Sequence, residues 1–138
     1  MSEEQAQQLL HQMQMLEGYF SELTQKETSI ISIIREASSA IQSLKAIDDK
    51  ADVGSLVPLG LGTFVRAKFV PNEKLILNIG AGVAIEKDKN STINFLESRL
   101  KEMQVTLQET VGQKQQVAAS LEQGKQQMEQ LMATRSKK

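Results

Sequence analysis

Residues 54–87 read GSLVPLGLGTFVRAKFVPNEKLILNIGAGVAIEK. Side chains alternate along this stretch. Val65, Ala67 and Phe69 fall on one face, with Arg66 and Lys68 on the other. Leu75, Leu77 and Ile79 share a face, as do Val83 and Ile85. A period of two marks half-buried strands, because successive side chains point to opposite faces. Gly60-Leu61-Gly62, Pro71-Asn72 and Gly80-Ala81-Gly82 read as turns. The pattern predicts short strands near 54–57, 63–69, 74–79 and 83–87, arranged as two hairpins or a meander. Four short strands with open edges and one apolar face do not persist alone in water. The segment therefore calls for partners, and an oligomeric β-assembly is the direct solution.

Glycine and proline divide the rest of the chain. Five of the 8 Gly and both Pro lie between residues 48 and 90, and the flanks are nearly free of breakers. The expected organisation is an N-terminal helix over 1–47, a β region over 48–90 and a C-terminal helix over 91–138, together one structural unit. In the first flank Ser2 and Gln5 fit a capping box. Apolar residues then repeat every seven: Leu9, Leu16, Leu23, Ile30, Ala37 and Leu44 at d, and Met13, Phe20, Glu27, Ile34 and Ile41 at a. The second flank starts near Asn90 or Ser91, either of which can cap a helix. Its a series is Ile93, Leu100, Leu107, Lys114, Leu121 and Met128; its d series is Leu96, Met103, Thr110, Val117, Gly124 and Leu131. Each helix of about 44 residues would reach roughly 65 Å at 1.5 Å per residue.

An antiparallel pairing that sets Leu44 against Ile93 also sets Ile30 against Leu107 and Phe20 against Val117. Glu27 then faces Thr110, one layer from Lys114, so the polar breaks of both helices meet. That cluster is either a register-setting device or a partly solvated defect. Met13 faces Gly124, which predicts a loose layer. Residues 1–47 carry 3 basic and 6 acidic groups, and residues 91–138 carry 7 and 5. This imbalance biases pairing weakly.

Composition excludes several functions. Hydrophobic residues make up 40 % of the 138, aromatics only 4 %, and Gln is abundant at 16. These proportions suit long helices with a narrow seam better than a packed globule. With no Cys and one His, a Cys/His zinc site within one chain is excluded, as are disulfides. No apolar run reaches the roughly 18 residues of a membrane span, and no secretory leader is expected. A net charge of −1 gives no field for nucleic acid. The two Gly-x-Gly pairs lack the third glycine of a dinucleotide loop and read as turns with positive φ. His11 reads as a surface residue. Glu17 and Glu22 form no acid–base pair, and no nucleophile pattern is present. Arg135, Lys137 and Lys138 read as a solvated end. No catalytic residue, cofactor site or metal site is expected.

The informative residues are apolar ones at the chain-end portions of the helices. Leu10, Met15, Tyr19 and Met132 lie off the seam; Leu9, Met13, Met128 and Leu131 lie in it where it frays. Ile31 and Ile33, farther in, broaden the core. Met-rich apolar surfaces suit promiscuous binding. Leu9, Leu10, Met13, Met128, Leu131 and Met132 are therefore the candidate binding set; the bland alternative is cover by a third helix.

Val57-Pro58-Leu59-Gly60-Leu61-Gly62-Thr63-Phe64-Val65-Arg66-Ala67-Lys68 resembles the signature of prefoldin alpha subunits, and Asn78 to Lys87 resembles its second block. The flanking helices fit as well, and the chain length resembles the archaeal form. The resemblance implies an α+β, mostly α fold: a long antiparallel two-helix coiled coil with two β-hairpins between the helices, the hairpins forming an oligomeric β-barrel. It implies an ATP-independent cytoplasmic chaperone, not an enzyme, built as a hexamer of two alpha and four beta subunits. Val65, Ala67, Phe69, Leu75, Leu77, Ile79, Val83 and Ile85 would serve oligomerisation. The coiled-coil ends would hold non-native polypeptides and pass them to a group II chaperonin, with no cofactor, nucleic acid or membrane involved. Gly18 and Gly112, on the outer f position of the heptad, would let the helices flex around clients. The competing reading is a coiled-coil spacer or tether with a β dimerisation cap.

Overall fold

A computed structural model describes residues 3–47, 53–70 and 72–136, with the side chains at 53, 135 and 136 excepted. The expected Ser2 cap, Pro71, Lys137, Lys138 and the Arg135 side chain lie outside the described residues. The order is helix α1 (Glu3–Ala46), strands β1 (Val53–Gly60), β2 (Thr63–Phe69), β3 (Leu75–Gly80) and β4 (Val83–Lys87), then helix α2 (Lys89–Ser136). The chain divides into two compact units, Met1–Ile33 with Met103–Lys138, and Ile34–Glu102.

In the first unit α1 and α2 run antiparallel along a heptad seam. Leu23, Ile30 and Val117 are buried, and Leu9, Met13, Leu16, Phe20, Leu107, Leu121, Met128 and Leu131 are half-buried. Of the off-seam isoleucines, Ile31 is half-buried and Ile33 is exposed, so only Ile31 broadens the core. The polar breaks meet as expected. Lys114 Nζ donates to Glu27 Oε2 at 3.4 Å and lies 5.2 Å from the Phe20 ring centroid. Thr110, 1 % exposed, donates its hydroxyl to the Thr106 carbonyl at 2.8 Å. The cluster is thus satisfied internally, which avoids the cost of an unpaired polar group in the seam. Met13 meets Gly124, the partner expected from the heptads. The layer is not loose: a Cβ on Gly124 would stand 3.0 Å from Met13 Cγ. The flexible thioether fills the space left by the missing side chain.

In the second unit Ala37, Ile41 and Ile93, all at a or d positions, are buried. Lys45 Nζ pairs with Glu97 Oε1 at 3.2 Å, and Lys89 Nζ donates to the Ile47 carbonyl at 2.7 Å, a favourable place for a cation at a helix C-terminus. Helix α2 starts two to three residues earlier than a cap at Asn90 or Ser91 would place it. Asp88 is the cap: its Oδ1 accepts the Ser91 N–H at 2.7 Å, and its carbonyl accepts the Thr92 N–H at 3.0 Å. The Ser91 amide is one of those a helix start leaves without partners, and the Thr92 bond is the first of the helix's own ladder.

Hydrogen bonding to Ser91 holds the Asp88 carboxyl below its usual value of 3.8. A depressed carboxyl stabilises the fold above that value, and the contribution is lost as pH falls through the lower folded one. Asp88→Ala is therefore expected to lower the melting temperature at pH 7. It should also flatten the acid limb of a melting-temperature profile taken below pH 4.

The strands form two separate two-stranded antiparallel sheets, β1-β2 and β3-β4, so they are hairpins and not a meander. Both turn the same way. Leu61 and Gly62 have φ of 48° and 74°, and Ala81 and Gly82 have 54° and 76°. Two consecutive positive φ values match the right-handed twist of the flanking strands, and glycine at the second position avoids strain. Each ladder shifts register just before its turn, between Pro58 and Gly60 and between Asn78 and Gly80. In the second hairpin Asn78 Oδ1 accepts the Gly80 N–H at 3.0 Å. β1 runs past the expected 54–57 because Pro58 stays in the ladder opposite Phe64, which an edge strand tolerates. β3 covers 75–80 where 74–79 was expected.

Candidate functional site

Two surfaces carry large uncovered apolar side chains. The first is on the hairpins. Directly paired residues share a face, so the pairs Val57–Val65 and Leu77–Ile85 define the expected apolar faces. Ala67, Phe69, Leu75, Leu77 and Ile85 are half-buried there, while Val65, Ile79 and Val83 are exposed. Lys87 shares the face of Leu75 and sets its ammonium 5.0 Å from the Phe95 ring centroid, a cation–π contact.

The opposite faces are not purely polar, as the alternation had suggested. Leu56 lies beside Arg66, with Phe64 two residues along, and Ile76 lies beside Glu86. Leu56 is 62 % exposed, Phe64 56 % and Ile76 77 %. Leu61, at the first turn, is fully exposed. Apolar groups on both faces of each hairpin mean that cover from one side leaves part of the surface in water. Burying each such side chain would contribute roughly 1.5–3 kcal/mol.

The second surface lies on the first unit, where the start of α1 meets the end of α2. Leu10, Met15 and Met132 are largely exposed, and Tyr19 is also open to solvent. Leu9 and Leu131, half-buried in the seam, are brought together in one groove. Met13 lines a neighbouring cleft with Phe20 and Leu121, and Met128 is half-buried. The six candidate residues therefore split. Leu10 and Met132 are presented outward, and the other four hold the two helices together. Sequence reading missed the glutamines that line the groove beside Leu9 and Leu131, since Gln on a helix reads as a solvated face. It also passed over Val105, 55 % exposed on α2.

Among the described residues no group of three or more His, Cys, Asp or Glu could hold a metal. No helix among them is long and apolar enough to cross a membrane. His11 is exposed. The Gly-x-Gly segments are the hairpin turns described above.

Comparison with known proteins agrees with the fold. The family described as "Prefoldin subunit" matches residues 2–134. The "Prefoldin subunit alpha" of Nitrosopumilus maritimus is 52 % identical over 132 residues, covering 96 % of this chain and 91 % of that protein. The protein of the same name from Methanoculleus marisnigri is 31 % identical over 101 residues, covering 72 % and 68 %. Among solved structures, the prefoldin beta subunit from Thermococcus strain KS-1 superposes with a TM-score of 0.64 at 15 % identity, covering 92 % of this chain and 91 % of that one, a likeness of fold. The chain belongs to the prefoldin subunit family of chaperone components, as an alpha subunit of the archaeal type.

Proposed function

We propose that this chain assembles through its hairpins with a second copy of itself and four beta subunits. The assembly holds non-native polypeptides at the helix ends without ATP and passes them to a group II chaperonin in the cytoplasm. The observation that carries the reading is the exposure of Leu10 at 49 %, and of Met15 and Met132 at 64 % each. Unfolded chains expose apolar segments, and burial of apolar surface is non-directional. A few flexible apolar groups therefore hold many sequences weakly, and several helix ends acting on one client raise the hold by avidity. Weak single contacts also permit release. Gly18 and Gly112 support flexing: a Cβ at either would meet nothing within 4 Å, so packing does not require glycine there, and each costs roughly 1 kcal/mol of helix stability relative to Ala.

The uncovered apolar groups on both hairpin faces support assembly, with Ala67, Phe69, Leu75, Leu77 and Ile85 half-buried and Val65, Ile79 and Val83 exposed on the expected apolar faces. Site-specific crosslinking tests client contact. A photoreactive p-benzoylphenylalanine in place of Met132 should capture a guanidinium-denatured protein diluted onto the assembly. The same group in place of Ser120, exposed on the same helix, should not. Equal capture at both positions, or none at 132, would count against the reading and favour a spacer.

A further inference from the structure

We propose that the groove between the start of α1 and the end of α2 binds the backbone of an extended, uncharged stretch of client, using side-chain amides as its hydrogen-bonding groups. This rests on the client-holding role above and names the recognition chemistry at that site.

The groove is about 370 Å³ in volume. Leu9 and Leu131 form its apolar part, and Gln5, Gln8, Gln12, Gln127 and Gln130 line it; these five glutamines are exposed. Among the described residues no charged one lines it. The neighbouring cleft in the same unit differs, being lined by Glu17, Glu122 and Lys125 together with apolar groups. The composition follows the same division. Fifteen of the 16 glutamines fall in the unit Met1–Ile33 with Met103–Lys138, and Gln42 is the exception.

A glutamine amide offers two donors and an acceptor. It can therefore answer both the N–H and the C=O of a peptide bond, which Lys, Arg and Glu cannot. It is also neutral, so a client covering it incurs no penalty for burying a charge. A non-native chain presents two things together, apolar side chains and backbone groups with no partner in secondary structure. Two leucines flanked by amides on both helices match that pair of needs. The match is independent of client sequence, provided the bound stretch is uncharged.

The test uses the full chain assembled with its beta partners. The probes are a fluorescent ten-residue peptide of Val, Thr and Leu, and the same peptide with alternate backbone nitrogens methylated. Methylation removes backbone donors and keeps the apolar side chains. The parent should bind about tenfold more tightly than the methylated form. Its affinity should stay level between about 0.05 and 0.5 M salt, since no charge pairs are screened.

Two variants then remove the amides in opposite ways. Gln5, Gln8, Gln12, Gln127 and Gln130 are replaced together by Met, which keeps length and adds apolar surface, or together by Ser, which shortens the side chains and stays polar. Both should lose the tenfold preference, although their absolute affinities move apart. Equal binding of the two peptides to the wild type overturns the inference and leaves the client-holding role standing. A preference that survives in either variant, with helix content and assembly intact, also overturns it. Failure of both peptides to bind, together with no crosslink at position 132, defeats the client-holding role itself.

Discussion

Replacing Leu77 and Ile79 with Asp is expected to abolish assembly while leaving both helices folded. Leu77 is half-buried opposite Ile85, and Ile79 sits at the register shift before the turn, 48 % exposed. In a shared β-structure both would be covered, and each buried carboxylate would cost several kcal/mol with no cation supplied to offset it. Two such charges per chain exceed what a hairpin interface recovers. Ile76→Asp is the gentler arm. Ile76 is 77 % exposed on the other face, so the substitution leaves the separate chain undisturbed and interferes only where a neighbour covers that face. Native mass measurement should find wild-type chain in a complex with beta chains and both variants outside it, with unchanged helical circular dichroism. An intact complex containing Leu77→Asp/Ile79→Asp would contradict the assignment of these faces to assembly.

The helices were legible because their signal is long and redundant. Each a and d position from Leu9 to Leu44 and from Ile93 to Leu131 is buried or half-buried, including the polar Glu27, Thr110 and Lys114. The heptads set the register, and the meeting of Glu27 with Lys114 agrees with it. The hairpins were legible from alternation and from glycine spacing, since two consecutive positive φ values leave few other choices.

Three features were not legible, for physical reasons. Asp88, Asn90 and Ser91 can each cap a helix, and local sequence does not rank them; the exit of the chain from β4 selects Asp88. The apolar character of both hairpin faces was hidden because Arg66 and Lys68 marked their face as solvent, while Leu56 joins them from the partner strand only once the register is known. The groove was hidden because Gln8 and Gln130 lie more than a hundred residues apart in sequence and become neighbours only through the antiparallel pairing.

Replacing Leu9, Leu10, Met13, Met128, Leu131 and Met132 together by Ser would remove client contacts, but it would also strip four residues from the seam. Leu10, Met15 and Met132 are exposed already, so changing only these three to Ser separates client contact from helix pairing. Each loses up to about 1.5–3 kcal/mol of potential apolar burial against a client. Because several helix ends act on one client, small losses at each compound into a large loss of hold.

The measurement is light scattering of a guanidinium-denatured protein diluted without ATP into the assembly of this chain with its beta partners, the complexes first matched by native mass. The wild type should suppress aggregation, and Leu10→Ser/Met15→Ser/Met132→Ser should need roughly tenfold more complex for the same effect. Equal suppression by the variant, in an assembly of unchanged mass, would contradict the claim that these helix ends hold non-native chains.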